Sequence, residues 1–352
     1  MGDGCKALRI LEIGEFSLFK RTMPDQTTLV FTGANPRGIE GLDHRPFGPT
    51  VLPALLRSLK RGEWDAVVCF TPARPLFDCR RGPGGLLAAL SRVLFRFRTL
   101  GTYAVRSRYP VPLVVLDYND MQTVPRPALK LLDRSIAYFK RELPCDPAKA
   151  LFDVVPRFRT HKRIMASKFL LRNVDKLRPI SVAIPEETVR LALAARAEKS
   201  VDIFFAGAMH SVVRQRGFEQ IKALAASGYA VDICPGGLSK AEYLERCARA
   251  WLTWSPEGFG WDCFRHYEAS LCLSVPVLSP PTIARYAPLL DGVHALTYPV
   301  EGDGLAAVIR EALQAKARLA RMAQTARDHV LLHHTQDRVC RHILVTALNA
   351  HL

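Results

Sequence analysis

The chain has 352 residues and a formal net charge of +16, with 49% hydrophobic and 23% charged residues. That balance excludes a disordered chain and a membrane-embedded bundle, and the length suits two domains, each with its own core. No apolar run reaches the length of a membrane-spanning helix, and the start, Met-Gly-Asp-Gly-Cys-Lys, lacks the apolar stretch of a signal peptide, so a cytoplasmic protein is expected.

In the first half, short apolar runs at 8–13, 28–31, Ala66–Phe70 and 113–116 predict buried strands. Helical spacing predicts Val51–Lys60, 85–97 and 127–143 as helices, the last stopping before Pro144. Strands alternating with helices point to an α/β fold with parallel sheets. This half also carries the charge. Residues 1–180 hold 31 Lys+Arg against 16 Asp+Glu, a net +15, whereas residues 181–352 hold 18 against 17, a net +1. The excess concentrates in Arg92-Val-Leu-Phe-Arg-Phe-Arg98, continuing to Arg106 and Arg108, and in Arg157-Phe-Arg-Thr-His-Lys-Arg163, continuing through Lys168, Arg172, Lys176 and Arg178. Basic residues interleaved with apolar ones suit a helix on an anionic membrane surface, and equally a solvated helix face with ordinary core contacts. No nucleic-acid-binding module is apparent, so nucleic acid is not the expected partner.

In the second half, residues 178–185 (Arg-Pro-Ile-Ser-Val-Ala-Ile-Pro) read as an extended linker before a helix at 186–197. Val201–Ala206 is a predicted strand, Val212–Ala226 a helix with Gly228 just past its end, and 230–234 a strand. Ser239 and Glu242 form a capping box for a helix reaching about 247. There follow a strand at 250–254, a helix at 263–272, a strand at Val275–Leu278, a short helix at 282–289 and a strand at 295–298. Asp303 is placed to cap one long helix reaching about 332. A last helix, 335–352, has no strand of its own and is expected to cross back onto the first half. The nine cysteines are scattered, without a C-x-x-C pair, and read as small buried hydrophobes rather than a disulfide framework or thiolate zinc site.

The densest chemical signal is Ser255-Pro-Glu-Gly-Phe-Gly-Trp-Asp-Cys-Phe-Arg-His-Tyr-Glu268. A strand ends, a loop turns on Gly258 and Gly260, and Asp262 is placed to cap a helix whose first N–H groups would suit a phosphate. Arg265 and Glu268, at i and i+3, share one helix face. The cation suits a phosphate and the carboxylate, accepting two hydrogen bonds, suits a vicinal sugar diol. The plainer alternative is a surface ion pair worth under about 1 kcal/mol.

Three segments carry a resemblance: Pro256-Glu-Gly-Phe-Gly260, Tyr267-Glu-Ala269 with Val275-Pro-Val277, and Leu290-Asp-Gly-Val-His-Ala295 leading to Gly304-Leu-Ala306. Their succession over about 202–335 resembles the C-terminal domain of GT-B-fold glycosyltransferases, in particular bacterial group 1 enzymes and their spore-maturation-protein-like relatives. The resemblance implies an α/β, GT-B fold: two Rossmann-like domains with parallel sheets facing a central cleft. Residues 1–180 would bind the acceptor, 181–200 would be a linker, and 201–334 would bind a nucleotide sugar. It further implies that Glu268 binds the ribose, and that Glu257, with Gly258, meets the donor sugar. Ten residues separate these glutamates, a longer loop than the family's usual one. Ala206-Gly-Ala-Met-His210 up to Arg216-Gly-Phe218 resembles the family's first loop, in which Gly207 would approach the donor phosphates and Arg216 would pair with them. Ala208 stands where an arginine often follows the glycine, and Arg214 is the substitute for it. Cys234-Pro-Gly-Gly237 either borders the base or is a plain turn. His266, beside Arg265, is the histidine placed for a donor contact; His161, His333 and His334 read as surface residues. No metal or other cofactor is expected, since the second half lacks an Asp-x-Asp motif and enzymes of this fold generally rely on helix dipoles and basic residues.

For the first half the resemblance assigns little. Glu12-Ile-Gly-Glu15 and Asp117-Tyr-Asn-Asp120 each follow a predicted strand. An inverting transfer needs a base for the acceptor hydroxyl, and Asp120, Asp117 and Glu15 are the candidates, each also readable as a turn or cap residue. A retaining transfer needs no dedicated base. Tyr138-Phe-Lys-Arg-Glu142 reads as cleft lining or as an amphipathic helix face. The expected activity is therefore sugar transfer from a nucleotide-sugar donor to a glycan or lipid-linked acceptor, anionic in keeping with the charge, in the cytoplasm or at the inner membrane face. A sugar-nucleotide epimerase of the same fold and a non-catalytic nucleotide-sugar-binding protein are the alternatives.

Overall fold

The computed structural model describes residues 7–33, 39–71, 101–102, 104–105, 107–125, 128–154, 162–163 and 171–349. They fall into two units, residues 1–180 with 340–352, and residues 181–339. The predicted helix at 85–97, most of both basic segments, Cys5, Cys79 and His161 lie outside the described residues.

The first unit is built on β1 (Ile10–Gly14), β2 (Thr27–Phe31), β3 (Arg45–Pro46), β4 (Ala66–Phe70), β5 (Leu113–Asp117), β6 (Ala137–Lys140) and, after a small antiparallel pair β7 (Asp153–Val154) and β8 (Lys162–Arg163), β9 (Leu177–Pro179). The large sheet runs β3-β2-β1-β4-β5-β6-β9 with every pair parallel. β1, β4, β5 and β6 are buried along their whole length. Covering on both faces is why these strands read as unbroken apolar runs rather than alternating ones. Around them lie α1 (Phe19–Thr22), α2 (Val51–Lys60), α3 (Leu129–Arg134) and α4 (Lys149–Phe152).

One expectation fails here. Residues 127–143 are not a single helix: α3 ends at Arg134, and Ala137-Tyr-Phe-Lys140 becomes β6 between β5 and β9. A short apolar run satisfies helix and strand spacing alike, and pairing on both sides decides it.

The second unit has a five-stranded parallel sheet of β10 (Val201–Ala206), β11 (Val231–Cys234), β12 (Ala250–Ser255), β13 (Val275–Leu278) and β14 (Leu296–Thr297), in the order β11-β10-β12-β13-β14. Its helices are α5 (Glu186–Ala194), α6 (Val212–Ala226), α7 (Lys240–Arg249), α8 (Phe264–Leu271), α9 (Gly304–Leu313) and α10 (Lys316–His333). α11 (Gln336–Leu348) runs from this unit into the first, where His342 meets the Phe139 ring at 6.0 Å. Successive strand residues feed opposite faces: Phe204 joins Leu244, Tyr267 and Leu271, while Phe205 joins Ile221, Trp254 and Met322. Residues 182–192 belong to the first of these cores through Val182, Ile184, Val189 and Ala192.

Four further expectations are corrected. The single helix from Asp303 is two, α9 and α10, because its buried series Leu305, Ile309, Leu313 resumes only at Leu319 and Met322; a break re-aims the second face at the core. Asp303 precedes α9 without a side-chain cap. Residues 282–289 form a loop: Pro288 bars Ala287 from the helical region, and the Ala287 carbonyl instead accepts from His329 and His334 at 2.8 and 2.9 Å. His334 is accordingly buried, not a surface residue.

Among the described residues no helix is long and apolar enough to cross a membrane.

Candidate functional site

In the second unit the chain leaves β10 toward β11 on one side and β12 toward β13 on the other, so the strand order reverses between β10 and β12. Ligands of open parallel sheets bind outside the carboxyl ends of the strands at such a reversal. The loops that open there are those beginning at Gly207 and at Pro256.

Two arginines converge on this point. Ser211 caps α6, accepting from the Arg214 amide at 3.2 Å, and the buried Arg214 side chain turns back to the sheet edge. Its Nε donates to the Glu257 carbonyl at 3.0 Å and its Nη1 to the Ala208 carbonyl at 2.8 Å, tying the two loops together. Arg265, in the first turn of α8, donates through Nη2 to the Pro256 carbonyl at 3.2 Å. Both guanidiniums approach the Phe205 ring, at 6.0 and 5.7 Å from its centroid.

Gly207 lies between them, at φ +151°, a conformation that side chains rarely adopt; a Cβ here would stand 3.4 Å from Arg265 Nη1 and 3.7 Å from Arg214 Nη1. A Cβ at Gly258 would likewise stand 3.4 Å from Arg214 Nη2. A carbonyl satisfies a hydrogen bond without cancelling charge, and the Pro256 carbonyl holds Arg265 in this way. The buried Nε of Arg265 has no hydrogen-bond partner among the described residues. The arrangement suits an anion carrying more than one negative charge.

Glu268 follows one turn later on α8, its side chain 3% exposed, and its Oε1 accepts from Lys240 Nζ at 2.5 Å. Lys240 is the first residue of α7, just after the capping box, where Ser239 and Glu242 exchange the two hydrogen bonds their spacing predicts. Glu257 is fixed through its backbone, its amide donating to Ser279 Oγ at 3.1 Å. Phe259, 57% exposed, stacks on His210 with ring centroids 4.7 Å apart.

Other predicted residues are placed differently. Arg216 is exposed and, two positions past Arg214, lies about 200° around α6, so it does not join the two arginines. The glycine after it serves packing: a Cβ on Gly217 would fall 2.2 Å from the Trp254 ring. Asp262 does not cap α8; it accepts from the Val182 amide at 2.9 Å and the Tyr267 hydroxyl at 2.6 Å, securing the start of this unit. His266 is buried and committed, with Nδ1 on Ser255 Oγ at 2.7 Å and Nε2 on the Trp261 carbonyl at 2.8 Å. Burial pushes the Cys263 thiol up, but the adjacent His266 and Arg265 outweigh it and bring it down to about 6. Lys240 and Ser279 are the site residues that sequence reasoning missed. Lys240 follows a recognised cap, but nothing in its own segment indicates which side chain its ammonium meets.

In the first unit Asp117 is fully buried and accepts from Tyr138 Oη at 2.8 Å, Lys140 Nζ at 3.1 Å and Asn119 Nδ2 at 2.9 Å. Those bonds commit it to the sheet. Asp120 is half-exposed and pairs with Arg141; Glu15 is half-buried. Glu12, in the same segment, accepts from Ser17 Oγ and from the amides of Leu18, Phe19 and Lys20 at 2.7–2.9 Å, closing the first turn of α1.

No protein-family model matches the chain, and no curated protein matches it in sequence. Solved structures do resemble it in fold. A glycosyltransferase from Rickettsia africae aligns at a TM-score of 0.57 with 11% identity, covering 98% of each chain. HepE of Anabaena in complex with UDP aligns at 0.52 with 12% identity, covering 97% of this chain and 100% of that one. The N-terminal domain of Candida albicans trehalose-6-phosphate phosphatase aligns at 0.52 with 12% identity, covering 99% and 98%. The chain thus has the α/β fold expected of it, two Rossmann-like units with parallel sheets in the manner of GT-B proteins.

Proposed function

We propose that the protein is a glycosyltransferase that takes a sugar from a nucleotide-sugar donor held by the second unit and passes it to a glycan or lipid-linked, anionic acceptor held by the basic first unit, without a metal. The observation that carries the proposal is the convergence of Arg214 and Arg265 beside Gly207 at the strand-order reversal, with Glu268 one turn from Arg265. As the glycosidic bond to the diphosphate breaks, negative charge builds on the leaving oxygens, and fixed guanidiniums stabilise it without having to reorganise. Glu268 accepts hydrogen bonds from the ribose diol, and the backbone at Glu257 and Gly258 borders the donor sugar. Asp120 is the base for an inverting transfer, being the more open of the carboxylates at the first sheet's edge. The same fold holds UDP in HepE and is that of a Rickettsia glycosyltransferase, which supports a uridine diphosphate sugar as the first donor to try.

A panel of nucleoside diphosphates, read by the rise in Tm, identifies the base, since a ligand that binds only the folded state stabilises it. Product analysis with the matching nucleotide sugar, with and without acceptor and with chelator, then tests the transfer. A nucleotide affinity unchanged in Glu268→Ala would sink the ribose assignment.

A further inference from the structure

Arg265 and Glu268 stand at i and i+3 on α8, the spacing at which opposite charges on a helix ordinarily meet. They do not pair. Arg265 goes to the Pro256 carbonyl, and Glu268 goes to Lys240, which reaches it from the start of α7. The carboxylate is almost wholly buried while the Lys240 side chain is about half exposed, so the ammonium is the route by which this buried charge is balanced. Lys240 also lies over the Tyr243 ring, 5.5 Å from its centroid, which limits where the ammonium can swing.

We infer that Lys240 is a positioning residue that holds Glu268 away from Arg265, keeping the guanidinium available to a diphosphate and the carboxylate available to a ribose diol. The inference rests on the donor reading above for the diol, and on the two-arginine geometry alone for the diphosphate. Without the ammonium, Arg265, three residues earlier on the same helix face, is a cation to which the stranded carboxylate can turn. Their pairing would withdraw both groups at once. A carboxylate has lone pairs to spare beyond the one Lys240 uses, so the pair seen here is compatible with a bound diol.

The test is binding of inorganic pyrophosphate, and of UDP against 2′,3′-dideoxy-UDP, to the full chain by calorimetry, with circular dichroism and Tm recorded for every variant. Lys240→Met, with Lys240→Gln as a second variant should the first fold poorly, is expected to weaken pyrophosphate binding at least about tenfold and to abolish the preference for UDP over the dideoxy analogue. Lys240→Arg should retain both. The decisive variant is Lys240→Met with Glu268→Ala: removing the carboxylate that captures Arg265 should restore pyrophosphate binding to within about threefold of wild type, while the preference for UDP stays lost. A double variant as weak as the single one would mean that Lys240 touches phosphate itself or merely supports the fold, and would overturn the inference. So would a wild-type chain that does not bind pyrophosphate. If the pyrophosphate series behaves as expected but no nucleotide sugar is bound or turned over, the donor reading fails and the positioning role stands.

Discussion

Both units carry ionisable side chains at the carboxyl edge of a parallel sheet, yet the two edges are closed to different degrees. In the first, Lys140 and Asp117 are buried against each other, with Tyr138 and Asn119 filling the remaining positions on the carboxylate. In the second, Arg214 and Arg265 are held by carbonyls of Ala208, Glu257 and Pro256. A carboxylate neutralises the cation it holds; a carbonyl only orients it. The first edge therefore spends its charge on the fold, whereas at the second the proposed ligand would meet guanidiniums that backbone carbonyls hold in place.

The sharpest way to break this contrast is to cut the buried pair. Lys140→Met leaves Asp117 charged without its counter-ion and should cost about 3–5 kcal/mol of stability, read as a lower denaturant midpoint. Adding Asp117→Asn should recover much of that loss. Arg265→Ala should do the reverse. Stability should change little, while nucleotide affinity falls by about 1.5–3 kcal/mol, the scale of a hydrogen bond to a charged group. A large stability loss in Arg265→Ala would put the second edge in the same class as the first.

Gly217 tests where packing ends and ligand chemistry begins. Its segment resembles a donor loop, but the structure sets it against Trp254, whose Nε1 in turn donates to Tyr298 Oη at 3.1 Å. Gly217→Ala should cost about 1–3 kcal/mol by overpacking, measured by Tm, with nucleotide affinity per folded molecule unchanged.

How far the sequence could be read follows the same division. Strands buried on both faces and capped helices are written locally, so Ala66–Phe70, Val201–Ala206, Val212–Ala226 and Val275–Leu278 were legible to the residue. Ala137–Lys140 was not, because its partners β5 and β9 are distant in sequence and only they choose strand over helix. In the site, Gly207, Glu257, Arg265 and Glu268 were legible because each sits at a fixed offset from a strand end or helix start. The roles of Arg214 over Arg216, and of Lys240, depend on which way a side chain turns across a loop. A motif does not encode that. Asp262 looked like a cap by position alone, but Cys263 is the residue at the start of α8, and the Asp262 carboxylate turns to Val182 and Tyr267 instead.

The last expected effect concerns pH, and it separates the units by sign. His334 is buried in the second unit, with Nε2 donating to the Ala287 carbonyl and Nδ1 on Ser181 Oγ at 2.9 Å, which fits the neutral ring. Burial, opposed by the Ala287 carbonyl and reinforced by the nearby His329, His333 and His294, pushes it from 6.5 down to about 3. Between those values the unfolded chain takes up a proton that the folded chain refuses. Its contribution is therefore complete above 6.5 and is lost as pH falls through the window, at about 1.4 kcal/mol per pH unit for one proton. His294 and His333, lowered by burial and by His329, steepen the fall. In the first unit Glu12 leans the other way. Burial raises its carboxyl above 4.5 despite the donors around it, so its contribution is complete below 4.5 and declines as pH rises through the folded value. Hydrogen exchange resolved by segment and corrected for intrinsic rates should show the second unit losing protection on acidification from pH 6.5, with His334→Gln flattening that slope. Just above pH 4.5, Glu12→Gln should remove an opposing slope from the first unit. Equal slopes in the two units, unmoved by either substitution, would mean that neither buried group titrates differently in the folded chain.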